Sequence, residues 1–346
     1  MIWWGLESSC DDSALAVLDT AGALPEALVS SQIALHETYG GVVPELASRE
    51  HLRNFPVLLE EALARGWPKP DRLAVTVGPG LAPCLAMGQS LARALGQSWQ
   101  VPVHPVNHLR AHAYSPLIDR WLADPGHWDE AWSAFCPHLG LLVSGGNTLL
   151  FCLEGPGQIT ILAQTRDDAA GEALDKGAKL LGLPYPGGPH IERLAREGNP
   201  RAHHFPRGRR KGDDLFFSFS GLKTSLRYHL ETLSEEAWRA DLPHLCASYL
   251  EAVVEGLVEK VDFCLRRSEI PFRSLGLSGG VARNATLRQR LQALAEKHQL
   301  PFYLARPEHC GDNATMVAFA AMVENRENNP APPLRLQPAL PLDGHP

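Results

Sequence analysis

Two histidines four residues apart, in His108-Leu109-Arg110-Ala111-His112, are the side chains here most readily turned to chemistry. On a helix both imidazoles project from one face and can grip a single cation. In a chain with 15 histidines, two solvated side chains are the plain alternative. A zinc-protease helix of the His-Glu-x-x-His type carries a glutamate after its first histidine as general base. Leu109 holds that position and takes no proton from water, so an ion here would orient a ligand rather than generate hydroxide. A third ligand is needed, and Asp312 in Cys310-Gly311-Asp312-Asn313 is the candidate, at a predicted helix start after a glycine. Its alternative is a simple N-cap. Nitrogen and carboxylate donors suit iron or zinc.

A second kind of chemistry lies in two glycine turns. Leu141-Leu142-Val143-Ser144-Gly145-Gly146-Asn147 and Leu275-Gly276-Leu277-Ser278-Gly279-Gly280-Val281 each follow a short apolar run that reads as a buried strand. Each bares backbone N–H groups where no side chain blocks approach, which suits phosphate or a nucleotide. The repeated strand–Ser-Gly-Gly unit predicts two related halves facing one cleft. Taken singly, either is also readable as a tight turn.

The elements that must position these residues follow an α/β pattern. Strands are predicted at 2–6, 14–18, 27–33, 73–77 and near Val103, with a helix from Pro44 to about Gly66 that Pro56 kinks or breaks. Leu52, Leu58, Leu59 and Leu63 give that helix its apolar spacing. Further helices run from about Pro83 to Trp99 and around His108 and His112. The Trp- and Pro-rich stretch 119–137 reads as the domain boundary. Beyond it come strands at 139–143, 148–153, 159–164 and 274–278, and helices near 171–182, 189–197, 221–231, 244–267, 284–298 and 313–325. This predicts a lobe over 1–125, a second over 138–311, the 313–325 helix packing back on the first, and a loose proline-rich tail at 328–346.

Composition sets outer limits. The 346 residues are 45% hydrophobic and 21% charged, as in a soluble globular protein. No apolar run is long enough for a bilayer, and the N-terminal residues do not read as a signal peptide. The seven cysteines are scattered and form no Cys-x-x-Cys, which fits a reducing cytosol. A net charge of -7 gives no general sign of nucleic-acid binding. Arg207-Gly208-Arg209-Arg210-Lys211, with Lys223 and Arg227, is the local exception; such runs also serve as solvated loops.

Motifs along the chain resemble one family. The segment from Leu35-His36 through Tyr39-Gly40-Gly41-Val42-Val43-Pro44-Glu45-Leu46-Ala47-Ser48-Arg49 to His51 is similar to the signature of the TsaD family, formerly called glycoprotease. The similarity continues at Gly78-Pro79-Gly80-Leu81, the two histidines, Leu142 to Gly146, Asp167 to Lys176, Tyr185 to Pro189, Phe217 to Thr224, Ser278 to Asn284 and Asp312-Asn313. It spans roughly residues 2–325.

The resemblance implies two ribonuclease-H-like, actin-like (ASKHA) lobes with a nucleotide and metal site in the cleft between them. It implies transfer of threonylcarbamoyl from threonylcarbamoyl-adenylate to N6 of the adenosine 3′ of the anticodon, in tRNAs reading codons that begin with A. It assigns metal binding to His108, His112 and Asp312, with one divalent ion, Fe2+ ahead of Zn2+. It assigns nucleotide contacts to Leu142, Val143, Ser144, Gly145, Gly146, Asp175, Gly188 and Asn284. Taken alone, Asp175 reads first as a surface helix carboxylate, Gly188 as a turn and Asn284 as an N-cap. The acidic pair of the family corresponds to Asp11 and Asp12, read here as orienting the attacking amine or relaying its proton, or else as capping residues. Asp12 stands where bacterial members usually have Glu, Asn147 where they usually have His, and Gly311 where Thr is common. Expected partners are tRNA, a paralogous inactive companion (TsaB-like), for which helix 45–65 offers a surface, and a small ATPase (TsaE-like), all cytoplasmic. The competing readings are a metallopeptidase and a catalytically silent nucleotide-binding scaffold.

Overall fold

The run from Ile2 to Glu7 has no polar face: Trp3 through Glu7 are all buried, as in a strand covered on both sides. The structure, a computed structural model, describes residues 1–22, 25–207, 215–325 and 331–346. They fall into two compact units, one of residues 1–136, 153–160 and 304–346, the other of 137–152 and 161–303.

The first unit is built on a five-stranded sheet of β1 (Ile2–Glu7), β2 (Asp12–Asp19), β3 (Glu26–Ser31), β4 (Arg72–Gly78) and β5 (Val103–Asn107), in the order β3-β2-β1-β4-β5. β1, β2 and β3 pair antiparallel, while β1–β4 and β4–β5 are parallel. Because side chains alternate along a strand, Trp4 and Leu6 face one way and Gly5 and Glu7 the other. On the first face Trp4, Leu6, Leu15, Val75, Phe55 and Leu58 share a core. On the second lies the helix Ala314–Glu324, whose residues from Ala314 to Val323 are all buried. Small residues let it come close: Ala14 and Ala16 pack with Ala314, and a β-carbon on Gly5 would meet the Ala314 carbonyl.

The helix Pro44–Ala64 runs unbroken through Pro56, so the proline does not break it. Pro56 is on the exposed side, where water can meet the carbonyl it frees. Its buried stripe is Ala47, His51, Phe55, Leu58 and Ala62, leaving Leu52 and Leu63 exposed. The stretch expected as a boundary, 119–137, is itself folded up to the division at 136/137: Trp121 and Trp128 pack on Phe319, and Trp132 on Phe135. Residues 331–346 are tied down, with Leu340 and Leu342 buried and the N–H of Gln337 donating to the Val77 carbonyl. The prolines that made this segment read as loose remove donors but leave carbonyls that the sheet and its loops use.

The second sheet comprises β6 (His138–Val143), β7 (Thr148–Gly155), β8 (Gln158–Gln164), β9 (Ser274–Ser278) and β10 (Phe302–Leu304), in the order β10-β9-β6-β7-β8. Counted from its own first strand, this is the arrangement of the first sheet: third, second, first, fourth, fifth. The internal repeat is therefore real but lies elsewhere than the glycine turns implied. Both turns belong to the second sheet, after the adjacent parallel strands β6 and β9. Gly279, at φ +88°, lies so close to Val143 that a β-carbon there would strike the Val143 carbonyl.

Gly5→Ala should force the last helix off its sheet and cost about 1–3 kcal/mol, the usual penalty for overpacking, read as a lower midpoint in chemical denaturation; an unchanged midpoint would contradict the close approach described here.

Candidate functional site

The helix His108–Tyr114 is only seven residues long and wholly buried. So short a helix has little stability of its own and takes its position from neighbours. The Asn107 carboxamide oxygen caps it, accepting from the N–H groups of Leu109 (2.9 Å) and Arg110 (3.3 Å). Buried Arg110 donates to Glu324 (2.6 Å) and to the Gly157 carbonyl (2.6 Å), and the Tyr114 hydroxyl donates to the same Glu324 oxygen (2.9 Å). Leu109 is buried and offers no base.

Held in this way, the two imidazoles meet edge to face with centroids 4.7 Å apart. Asp312 Oδ1 lies 3.0 Å from His112 Nε2 and 3.4 Å from His108 Nε2. Asp312 is free for this because the cap of the helix Ala314–Glu324 is Asn313, whose side-chain oxygen accepts from Met316 N–H at 2.9 Å. One ligand atom from each of His108, His112 and Asp312 can be chosen so that all lie within 4.8 Å of one another. Two nitrogens and an oxygen converging in a buried spot fit a divalent cation.

Sequence reasoning passed over Glu7, Ser9 and Thr76. Glu7 is fully buried at the end of β1, where its Oε1 accepts from Ser9 N–H (2.6 Å) and its Oε2 accepts from the Thr76 hydroxyl. Glu7 Oε2 also stands 3.2 Å from His108 Nδ1, and Ser9 Oγ 3.3 Å from it. A carboxylate at Nδ1 keeps a hydrogen there, so Nε2, on the Asp312 side, is the nitrogen that would give up its proton to a cation. The only signal was a charged residue ending an apolar run, which also reads as a strand boundary.

Burial opposes charge on all three groups of this cluster, but their mutual attraction wins. Burial alone would lower the pKa of His108; Asp312 and Glu7 instead hold it well above the usual histidine value. Burial alone would raise Asp312 and Glu7; His108, with His112 for Asp312, holds Asp312 far below and Glu7 below the carboxylate range.

The turn after β1 carries the acidic pair. Burial pushes Asp12 up to about 7, against a hydrogen bond from Ser31. Its Oδ1 is buried with no hydrogen bond among the described residues. The Asp11 backbone carbonyl accepts from Gln32 N–H at 3.0 Å. His51 braces this turn, with Nδ1 2.7 Å from Ser13 Oγ and Nε2 3.1 Å from the Cys10 carbonyl.

In the second unit Gly145, Asp175, Gly188 and Asn284 line one cavity of about 280 Å³, joined by Tyr185 of the Tyr185–Pro189 motif and by Glu192, which the sequence did not single out. Leu142 and Val143 are not in its lining; they are buried in β6. Ser144 closes the turn by accepting from Asn147 N–H at 3.1 Å, and Gly146 lies in the same turn outside the lining. Asp175 accepts from Gly187 N–H at 2.7 Å; burial raises its pKa although the Gly187 and Gly188 amides pull it down. Asn284 caps the helix Ala285–Lys297, accepting from Leu287 N–H at 2.9 Å, and lines the cavity as well. Of the basic run, Arg207 pairs with Glu255 at 2.9 Å, and residues 208–211 lie outside the described residues. Lys223 is exposed, and Arg227 pairs with Glu231 at 2.8 Å. Among the described residues no helix is long and apolar enough to cross a membrane.

The sequence matches the family model described as TsaD: tRNA N6-adenosine threonylcarbamoyltransferase over residues 25–319. A protein of that name from Anaeromyxobacter sp. (strain Fw109-5) is 47% identical over 321 residues, covering 91% of this chain and 92% of the relative. Another from Aromatoleum aromaticum is 44% identical, covering 98% and 96%. Among solved structures, full-length HypF in its phosphate- and nucleotide-bound form superposes with a TM-score of 0.60 at 12% identity, over 94% of this chain and 46% of that one. Component A of the Acidaminococcus fermentans (R)-2-hydroxyglutaryl-CoA dehydratase gives 0.52 at 12% identity, over 92% and 96%. At such identities the likeness shows the fold alone, the actin-like α/β fold.

Two outcomes follow from the cluster's electrostatics. At pH 6 the metal-free protein keeps His108 protonated, because its pKa is raised; Zn2+ needs the neutral ring, so binding should release about one proton and weaken as pH falls, measurable by calorimetry in buffers of different ionisation heat. Glu7→Gln should weaken Zn2+ binding about 10- to 100-fold in a chelator competition while the protein stays folded, and undiminished affinity would remove Glu7 from the site.

Proposed function

This chain belongs to the TsaD family of tRNA N6-adenosine threonylcarbamoyltransferases, and on that footing we propose that it transfers threonylcarbamoyl from threonylcarbamoyl-adenylate to N6 of the adenosine 3′ of the anticodon in tRNAs reading A-starting codons. The observation that carries this reading is 44–47% identity, over nine-tenths or more of the chain, to relatives bearing that transferase name. A bond forms between N6 and the carbamoyl carbon, the bond from that carbon to the AMP phosphate oxygen breaks, and the amine gives up a proton.

An adenosine amine is a weak nucleophile, so catalysis rests on placement and on balancing developing charge. In the second unit the cavity at Gly145, Asp175, Gly188 and Asn284 takes the adenylate. Asp175 and Glu192 accept hydrogen bonds from ribose hydroxyls, and the bare amides around Gly145 and Gly146 receive phosphate. In the first unit His108, His112 and Asp312 hold one divalent ion; of the two metals that these donors suit, iron and zinc, the family resemblance favours Fe2+. When bound, the ion supplies Lewis-acid polarisation of a carbonyl or phosphate oxygen. Asp12, pushed up to about 7 with one oxygen unpartnered among the described residues, receives the proton of the amine, and Asp11 orients it.

The tRNA is the second substrate. Leu52, Val57 and Leu63 are each more than half exposed on the helix Pro44–Ala64, a surface for a TsaB-like paralogue, with a TsaE-like ATPase as third component. The setting is cytoplasmic, where tRNA and adenylate are made.

Incubating the protein with these partners, unmodified tRNA, threonine, bicarbonate and ATP, then digesting the RNA, should yield threonylcarbamoyladenosine; none formed by a demonstrably competent partner set would refute the assignment. Under the same conditions kcat/KM should rise with pH through an apparent pKa of about 7. Asp12→Asn should abolish that rise and lower kcat by roughly 10²–10⁴-fold, whereas an unaltered pH profile would exclude Asp12 as the base.

A further inference from the structure

The helix that carries His108 and His112 is joined by one carboxamide to a segment more than 230 residues further along the chain. Asn107 uses both ends of its carboxamide. Its oxygen caps the helix by accepting from Leu109 and Arg110 N–H, and its nitrogen donates to the carbonyls of Pro341 (2.7 Å) and Gly344 (3.1 Å). Arg110, one turn into the same helix, donates to the Leu342 carbonyl at 3.5 Å. The segment making these contacts is itself fixed to the sheet. Gln337 N–H donates to the Val77 carbonyl (2.9 Å), the Pro338 carbonyl accepts from Gly80 N–H (3.1 Å), and the Leu334 carbonyl accepts from Arg93 (2.9 Å). Leu340 joins the core on that face, and Leu342 is completely buried.

We propose that residues 334–344 form a strap that sets the position of the His108–Tyr114 helix through Asn107, and thereby the affinity of the protein for its divalent ion. The inference rests on the metal reading given above. Asn107 is a positioning residue: it precedes His108 directly, touches neither substrate nor ion, and couples two things that would otherwise be independent. Seven residues cannot hold two imidazoles in register unaided. A metal site tolerates little displacement of its donors, so slack at the N-terminus of this helix passes straight to His108. The prolines of the strap suit this task, because a residue without an N–H presents only its carbonyl, which is what the Asn107 amide hydrogens need.

The test uses the full-length chain, stripped of metal and titrated with Zn2+ against a chromophoric chelator. Asn107→Ser keeps an oxygen to cap the helix but replaces the two amide N–H donors to the strap with one shorter hydroxyl. Leu342→Ala loosens the strap without altering the helix. Each should weaken Zn2+ binding about tenfold and speed amide hydrogen exchange across 108–114 in the metal-free protein. The double variant should be no weaker than the worse single one, because both cut the same connection. A folded Asn107→Ser protein that binds Zn2+ as tightly as the parent, or losses that multiply in the double variant, would overturn the proposal. Should Leu342→Ala not fold, Asn107→Ser decides alone by its affinity and exchange. If the parent binds one ion and His112→Ala none, an unchanged Asn107→Ser removes only the strap; a parent that binds none overturns the metal reading and the strap with it.

Discussion

A single carboxylate oxygen shared by two imidazoles organises the first unit. Asp312 Oδ1 stands within 3.4 Å of both His108 and His112, and Glu7 backs His108 from the other side. Burying this many ionisable groups is costly, and such clusters are rarely the most stable way to fill a core. The surroundings are arranged to satisfy them: Ser9 and Thr76 occupy Glu7, Asn313 relieves Asp312 of capping, and Arg110 locks the short helix to Glu324. Three distant stretches of sequence must arrive together, which is why β1 ends in an acid and why Gly5 lets the last helix lie against it. A fold accepts such a cost where the groups serve a function, as proposed above for this cluster.

The second unit solves a different problem by different means. Its cavity has few charged groups, and its walls at Gly145, Gly188 and Gly280 are backbone. Asp175 and Asn284 each do two jobs there, holding a helix start and facing the cavity. The readings of Asn284 as an N-cap and as a ligand contact are thus compatible rather than opposed, and a residue that must cap a helix is well fixed for recognition.

Much of this was legible in the residues themselves. The four-residue spacing of the histidines needs only a helix to bring them together, and apolar runs of five or six residues between glycines mark strands whatever their neighbours. What escaped were features decided by tertiary contact. Asp312 and Asn313 are both good capping residues, and only the path of the chain chooses between them. Leu52 and Leu63 have the spacing of a buried stripe, but the core takes the His51–Phe55–Leu58 side. The two glycine turns suggest two related halves facing one cleft, yet they lie on neighbouring strands of one sheet. Local sequence cannot tell a repeat between sheets from a repetition within one.

The matching strand order of the two sheets has a consequence for how this architecture came to work. The turn after β1 and the turn after β6 occupy the same topological station. One holds Asp11 between strand ends that carry Glu7 and Asp12; the other, Ser144-Gly145-Gly146, is stripped to bare amides. A descent from one ancestral module would mean that a single loop position diverged into opposite electrical characters, one copy acidic, its twin a row of N–H donors. Novelty in such a lineage accrues at the strand tips, while the β-scaffold beneath is simply copied.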